Sequence, residues 1–213
     1  SIESPMAQLG KHLFFTKSLG GDTDVACVTC HHPNLGGGDG LAMSIGIGAH
    51  NPDLLGPGRT HPDGIPNVPR NAPTTFNIGM WDKALFWDGR VESLGKTPNA
   101  GGADELGIRT PDVPYGLTDP DAGHNLVMAQ ARFPVTSKEE MRGHTFASTG
   151  TNDAVRQQLA ARIGGYDLSL GDAANNQWVT LFEEAFGKDD GLEASSSIES
   201  LITEHRIAQA ISE

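Results

Sequence analysis

The sequence predicts a mainly α fold with long irregular loops and little or no sheet. Three observations carry that expectation. Apolar residues recur at helical spacing near both ends of the chain, no stretch alternates like a strand series, and Gly (27) and Pro (13) are plentiful among 213 residues. Apolar residues make up only 37% and aromatics 6%, lean for a packed core of this size. A large flat apolar cofactor at the centre would help such a chain bury enough surface. The length suits one large domain or a domain and a half, and the whole chain, 1–213, reads as one domain.

Ser4 can cap a first helix with Pro5 at its first position, and Met6, Leu9, Leu13 and Phe14 then share a face. After a Gly20-Gly21-Asp22 loop comes Cys27-Val28-Thr29-Cys30-His31, which holds both cysteines of the chain. The C-x-x-C-H spacing is that of covalent haem attachment. Two thiols add to the porphyrin vinyl groups, and one helical turn places the following histidine under the iron. A redox C-x-x-C pair would not need the histidine and usually lies near a βαβ pattern. Structural zinc would want a second ligand pair, and no third cysteine exists. The domain is therefore expected to be a c-type cytochrome carrying one haem c through Cys27 and Cys30, with His31 on the iron.

Gly36 to Gly40 must be loop, and Gly and Pro recur through 44–70 with hardly any periodicity. A similar stretch follows at 98–125. Two loop insertions, about 47–69 and 98–130, are thus expected, and such lengths in a compact domain are usually functional. Helical pattern returns late. Asn152 or Asp153 can cap a segment ended by Gly164-Gly165, and Ala174 to Phe186 forms a second, stopped by Gly187. Ser196 or Ser197 opens a third, with Ile198, Leu201, Ile202, Ile207 and Ile211 at helical spacing. That helix has no glycine or basic end, so the chain reads as cut inside a longer protein.

The net charge of −12 argues against nucleic acid and suits a cationic partner surface. No apolar run approaches the ~18 residues of a membrane span. The opening Ser1-Ile2-Glu3 is no export leader, and haem is normally attached to such a motif outside the bacterial cytoplasm. The chain therefore reads as a mature, exported, periplasmic protein.

Four stretches together resemble the bacterial di-haem cytochrome c peroxidase family, which includes the MauG-type enzymes. They are Leu9 to Phe15; Gly38-Asp39-Gly40 with Ser44-Ile45-Gly46; Arg70 to Thr74 with Asn77, running on to Leu85-Phe86-Trp87-Asp88-Gly89-Arg90; and Phe133 to Met141. The resemblance spans nearly the whole chain and covers the first, peroxidatic-haem half of the family pattern. A second C-x-x-C-H is absent, so the electron-supplying haem domain would lie outside this chain or on a companion fragment.

The resemblance implies a haem peroxidase. It would reduce hydrogen peroxide to water by ferryl chemistry at the His31-ligated haem, with electrons from a small redox protein, a cytochrome c or a blue-copper protein. It makes Glu140 the distal acid–base residue and Trp87 a relay between the two haems. It makes Asn71 a ligand of a calcium ion at the domain interface. Taken alone, Glu140 belongs to a charged run and reads as surface, Trp87 reads as core, and Asn71 before Ala72-Pro73 reads as a turn residue. Arg70 and Arg90 can pair with haem propionates or with solvated carboxylates. His12, His61, His124, His144 and His205 read as surface or structural.

Members that need reductive activation carry a distal histidine just after the S-I-G string. Ile47 stands at the matching position, and His50 lies nearby out of register. Either the distal face is open or His50 reaches in. Some members carry a glutamine after the W-D-G-R helix, where Thr97 stands. Two alternatives remain beside the peroxidase. One is a MauG-type protein-oxidising enzyme. The other is a single-haem electron carrier, which would need a sixth ligand such as Met43, His50, Met128 or Met141.

Overall fold

The computed structural model describes residues 1–167, 177–187 and 198–213. Helix α1 (Pro5–Phe15) begins as the sequence predicts: Ser4 Oγ accepts from the Ala7 N–H at 3.3 Å and Pro5 opens the first turn. Its Leu9 and Leu13 are fully buried. A single turn, α2 (Cys27–Cys30), carries the cysteines. Thr29 Oγ1 accepts from the Ala26 N–H at 3.0 Å, so the threonine inside C-x-x-C-H fastens the start of its own turn.

The later helices are α3 (Leu126–Ala131), α4 (Asn152–Gly164), α5 (Gln177–Phe186), α6 (Ile198–Leu201) and α7 (Glu204–Ser212). Two expectations need correcting. Neither Asn152 nor Asp153 caps α4; Thr151 does, its Oγ1 accepting from the Ala154 N–H at 3.2 Å. The last predicted helix is two. Thr203 leaves the helical region (φ −111°, ψ 159°) and its Oγ1 takes the Arg206 N–H at 3.3 Å, starting α7 afresh. The expected starts at Ala174 and at Ser196 or Ser197 lie outside the described residues.

The described residues also form a small antiparallel sheet, β1 (Ala84–Leu85), β2 (Val91–Ser93) and β3 (Ile108–Arg109), in that order. Leu85 pairs with Val91 and Ser93 with Ile108. The W-D-G-R string is therefore no helix. It is the turn between β1 and β2, entered through Phe86 at φ 64° and left through Gly89 at φ 67°.

Two apolar cores result. The larger joins α1, α4, α5 and α7 through residues such as Leu9, Leu13, Leu159, Phe182 and Ile207. The smaller packs the sheet on α3 through Leu85, Val91, Ile108, Leu126 and Phe133. Gly10 lets α1 cross α7 closely, because a Cβ there would strike the carbonyl of Ala210. The 47–69 loop is ordered by Arg59, 2% exposed, whose guanidinium donates to the carbonyls of Ile45 (2.8 Å), Gly46 (2.7 Å), Pro52 (3.2 Å) and Leu54 (3.2 Å). The 98–130 stretch supplies β3 and most of α3. Its start is held by Asp82, whose carboxylate accepts from the N–H groups of Asn99, Ala100 and Gly101. No helix among the described residues is long and apolar enough to cross a membrane.

Candidate functional site

A cleft of about 480 Å³ opens between the two cores. Cys27, Cys30 and His31 line one side, backed by Phe14 and Val25; Phe86, Trp87 and Val127 line another. His31 follows α2 directly, and its N–H donates to the Cys27 carbonyl at 3.0 Å. Its Nδ1 lies 3.1 Å from the Gly37 carbonyl. A proton on Nδ1 makes that bond and leaves the Nε2 lone pair free for a metal. Gly37 sits at φ 77°, and a Cβ there would crowd the Thr75 backbone and the Thr74 hydroxyl. The glycine loop therefore orients the imidazole.

Burial lowers the His31 pKa, opposed by hydrogen bonds to the Gly37 and Pro73 carbonyls and by the Asp39 charge, and so favours the neutral ring that an iron ligand must be. Burial pushes the Cys27 and Cys30 thiols up to about 12, so both sulfurs are uncharged in an apolar wall. A thioether suits that setting. Ser44, 2% exposed, lines the same cleft beside Cys30. Two thiols and an imidazole on an apolar cleft fit a covalently attached haem.

Glu140 reaches this cleft because of one wide helical turn, Lys138–Arg142, in which the Ser137 carbonyl accepts from both Met141 N–H (3.1 Å) and Arg142 N–H (2.9 Å). Such i→i+5 turns recur at functional sites. The turn leaves Glu139 exposed and buries most of Glu140. Burial raises the Glu140 pKa. The Arg90 charge and a hydrogen bond with Ser137 oppose this, and the Glu139 charge adds to it.

Trp87 stands at the rim, 63% exposed, with Nε1 donating to the Asn71 carbonyl at 2.8 Å. It is not a core residue. Asn71 turns its amide nitrogen to the Leu41 carbonyl at 2.6 Å. Among the described residues no group of three or more His, Cys, Asp or Glu side chains is placed to hold a metal ion. Arg70 is exposed at the cleft edge. Arg90 lines the cleft, pairs with Asp88 at 3.1 Å and lies 3.5 Å over the Phe86 ring. A carboxylate partner for Arg90 is thus already in place.

Of the four side chains weighed as a sixth ligand, only Met141 lines the cleft. Met43 and His50 are exposed elsewhere and Met128 is fully buried in α3. Ile47 is buried in the larger core. Sequence reasoning missed Ser44, the Asp88 clamp on Arg90, and Arg59. Only Arg59 left a signal, a lone cation inside a Gly-Pro-Gly-Arg stretch.

A family model described as di-haem cytochrome c peroxidase matches residues 4–213. The methylamine utilization protein MauG of Methylorubrum extorquens is 28% identical over 198 residues, 93% of this chain and 36% of that protein. Cytochrome c551 peroxidase of Pseudomonas aeruginosa is 35% identical over 95 residues, 45% of this chain and 22% of that protein. Cytochrome c peroxidase Ccp of Escherichia coli is 36% identical over 86 residues, 40% of this chain and 15% of that protein. The chain thus spans little more than a third of the longest-matching of these relatives. A MauG-like protein associated with microbial copper homeostasis has the same fold over the whole chain and 40% of its own length, with a TM-score of 0.53 and 22% identity.

Proposed function

The chain belongs to the di-haem cytochrome c peroxidase family, and from that membership we propose that it forms the domain in which hydrogen peroxide is reduced to water. The observation that carries the reading is that Glu140 lines the same cleft as Cys27, Cys30 and His31. Cys27 and Cys30 would hold the haem through thioethers, and His31 Nε2 would ligate its iron. The bound haem supplies the redox-active iron that takes up the oxidising equivalents of peroxide.

Glu140 moves the proton. Its carboxylate takes a proton from one peroxide oxygen and returns it to the other, which leaves as water. Two electrons and two further protons complete the balance to two waters. The partial burial that lifts the Glu140 pKa also makes it a better base. Trp87, at the rim and tied to Asn71, would pass electrons inward. Their source would be a small redox protein such as a cytochrome c or a blue-copper protein, acting through a second haem domain outside this chain. The net charge of −12 suits a donor with a cationic face. The setting would be the bacterial periplasm.

A second reading, oxidation of another protein in the MauG manner, is favoured by one observation. The match to MauG runs over 93% of the chain, whereas the matches to the two peroxidases stop at 45% and 40%. Both readings share the peroxide step and differ in where the electrons come from.

The test uses the haem-loaded full-length protein. Glu140→Gln should slow the reaction with peroxide by about 10²–10⁴-fold while leaving the haem spectrum unchanged. An unaltered rate removes Glu140 from the mechanism. Steady turnover with a reduced cytochrome c or blue-copper protein supports the peroxidase, and turnover only with a protein substrate supports the second reading.

A further inference from the structure

Behind the cleft lies a second, small cavity of about 20 Å³, and Ala131 and Ile211 line both. Its other walls include Leu159, Ala208 and three charged residues, Arg132, Arg156 and Glu204. Both arginines are 2–3% exposed. Most of their donors are engaged: Arg132 Nη1 meets Asp119 at 2.8 Å, Arg156 Nε meets the Arg132 carbonyl at 3.0 Å, and Arg156 Nη1 meets Asp153 at 2.6 Å.

Four buried atoms remain; Arg156 Nη2 and Asp112 Oδ2 pair with each other at 2.7 Å, which leaves two. Arg132 Nε and Glu204 Oε2 face each other at 3.8 Å, beyond direct hydrogen-bond reach, and neither has a hydrogen-bond partner in the protein. A buried donor and a buried acceptor do not stay unsatisfied without cost. We propose that this cavity binds one water molecule, which accepts a hydrogen bond from Arg132 Nε and donates one to Glu204 Oε2.

The space is right for a single water, which needs about 10–15 Å³ on this measure and two to four polar partners. The charge around it disfavours other occupants. Asp112, Asp119, Asp153 and Glu204 outnumber the two guanidiniums, which opposes an anion, while the guanidiniums themselves oppose a metal cation. The placement gives the water a structural task. Glu204 opens α7, and the far end of that helix, Ile211 to Glu213, lines the haem cleft. A water bridging Glu204 to Arg132 would fasten α7 to the end of α3, and so fasten the back wall of the cleft.

The experiment is a crystal structure of the haem-loaded full-length protein at a resolution that orders internal water, paired with oxygen-17 relaxation dispersion in solution. Wild type should show one water in contact with both atoms. Glu204→Gln, which keeps an acceptor, should retain it. Glu204→Leu and Ala208→Val, the latter filling the space without touching a charge, should each lose one long-lived water. Direct contact between Arg132 Nε and Glu204, or an unchanged count of long-lived waters in both the Leu and Val variants, would overturn the proposal.

Discussion

The backbone N–H of Ile47 donates to the carbonyl of Glu139 at 3.2 Å, so the strap at 44–47 holds the wide turn that points Glu140 into the cleft. Gly46 makes that approach possible, because a Cβ there would overlap the Glu139 carbonyl. Asn67 fixes the strap from its other edge, accepting from the Gly46 N–H at 3.0 Å and donating to the Ile47 carbonyl at 2.9 Å. Gly46→Ala must push the turn away from the strap. The peroxide reaction should fall by up to about 10²-fold, the scale of an ångström-size misplacement. Haem attachment should be intact, since Cys27, Cys30 and His31 lie on a different element. Rapid-mixing kinetics beside the haem spectrum check both halves, and an unimpaired rate would mean that the strap does not position the carboxylate.

The pH profile of the same reaction follows from the surroundings of Glu140. In the proposed proton transfer the working form is the carboxylate. Burial raises its pKa, so the rate should be lost, as pH falls, at a higher pH than an ordinary glutamate would give. Arg90 favours the charged form and opposes that rise. Arg90→Gln should therefore move the acid limb further up in pH, and Arg90→Lys should move it less. Asp88→Asn, which frees Arg90 from its partner at 3.1 Å, should move it down. Second-order rates with peroxide across the acid limb test the ordering. A limb that stays put in Arg90→Gln would show that this charge does not act on Glu140.

The parts of the molecule that could be read in advance are those whose cause is local. C-x-x-C-H is contiguous, and α1 has its cap, its proline and its apolar face within a dozen residues. The helix expected to run through Thr203 could not be read correctly, because its apolar spacing continues unbroken while one hydroxyl resets the backbone. The turn between β1 and β2 was hidden for a related reason. Phe86 takes a left-handed φ that aromatic residues rarely adopt, so nothing in the composition signals it. Glu140 was visible only through a family likeness, since Lys138-Glu139-Glu140 by itself reads as a solvated face. The Trp87–Asn71 and Gly46–Glu139 links join separate loops, which no periodicity reports.

Arg59 orders a stretch whose composition reads as loop. A stretch rich in Gly and Pro is held by one buried guanidinium donating to four carbonyls at 2.7–3.2 Å. Arg59→Ala removes the donors and leaves buried carbonyls unmet. It should destabilise the protein by about 3 kcal/mol or more, given ~1.5–3 kcal/mol for a hydrogen bond to a charged group. Arg59→Lys should recover only part, because an ammonium cannot reproduce the fork. Hydrogen exchange should quicken first around His50, whose N–H donates to the Thr60 carbonyl within this loop. Unchanged protection there would show that the loop is ordered by something else.

Asp119 allows a stability prediction with a definite sign. Its buried carboxylate accepts from Thr110 Oγ1 at 2.5 Å, the Asp121 N–H at 2.8 Å and Arg132 Nη1 at 2.8 Å. Burial alone would raise its pKa, but the Thr110 and Arg132 bonds outweigh burial and the value is lowered. A carboxylate with a depressed folded pKa contributes stability above its unfolded pKa, about 3.9, and loses it as pH falls through the folded value. Asp119→Asn keeps the shape and an acceptor for Thr110 but leaves Arg132 without its nearest charge partner. At neutral pH it should cost about 3–5 kcal/mol, the usual scale for breaking a buried pair from one side. Below about pH 4 the unfolded chain binds this proton first, so the gap should shrink, and it should close once pH falls below the lowered pKa of the folded aspartate. Urea unfolding of both proteins at a series of pH values measures the gap directly, and a gap of constant size from neutral to acid pH would show that the Asp119 charge contributes nothing to the fold.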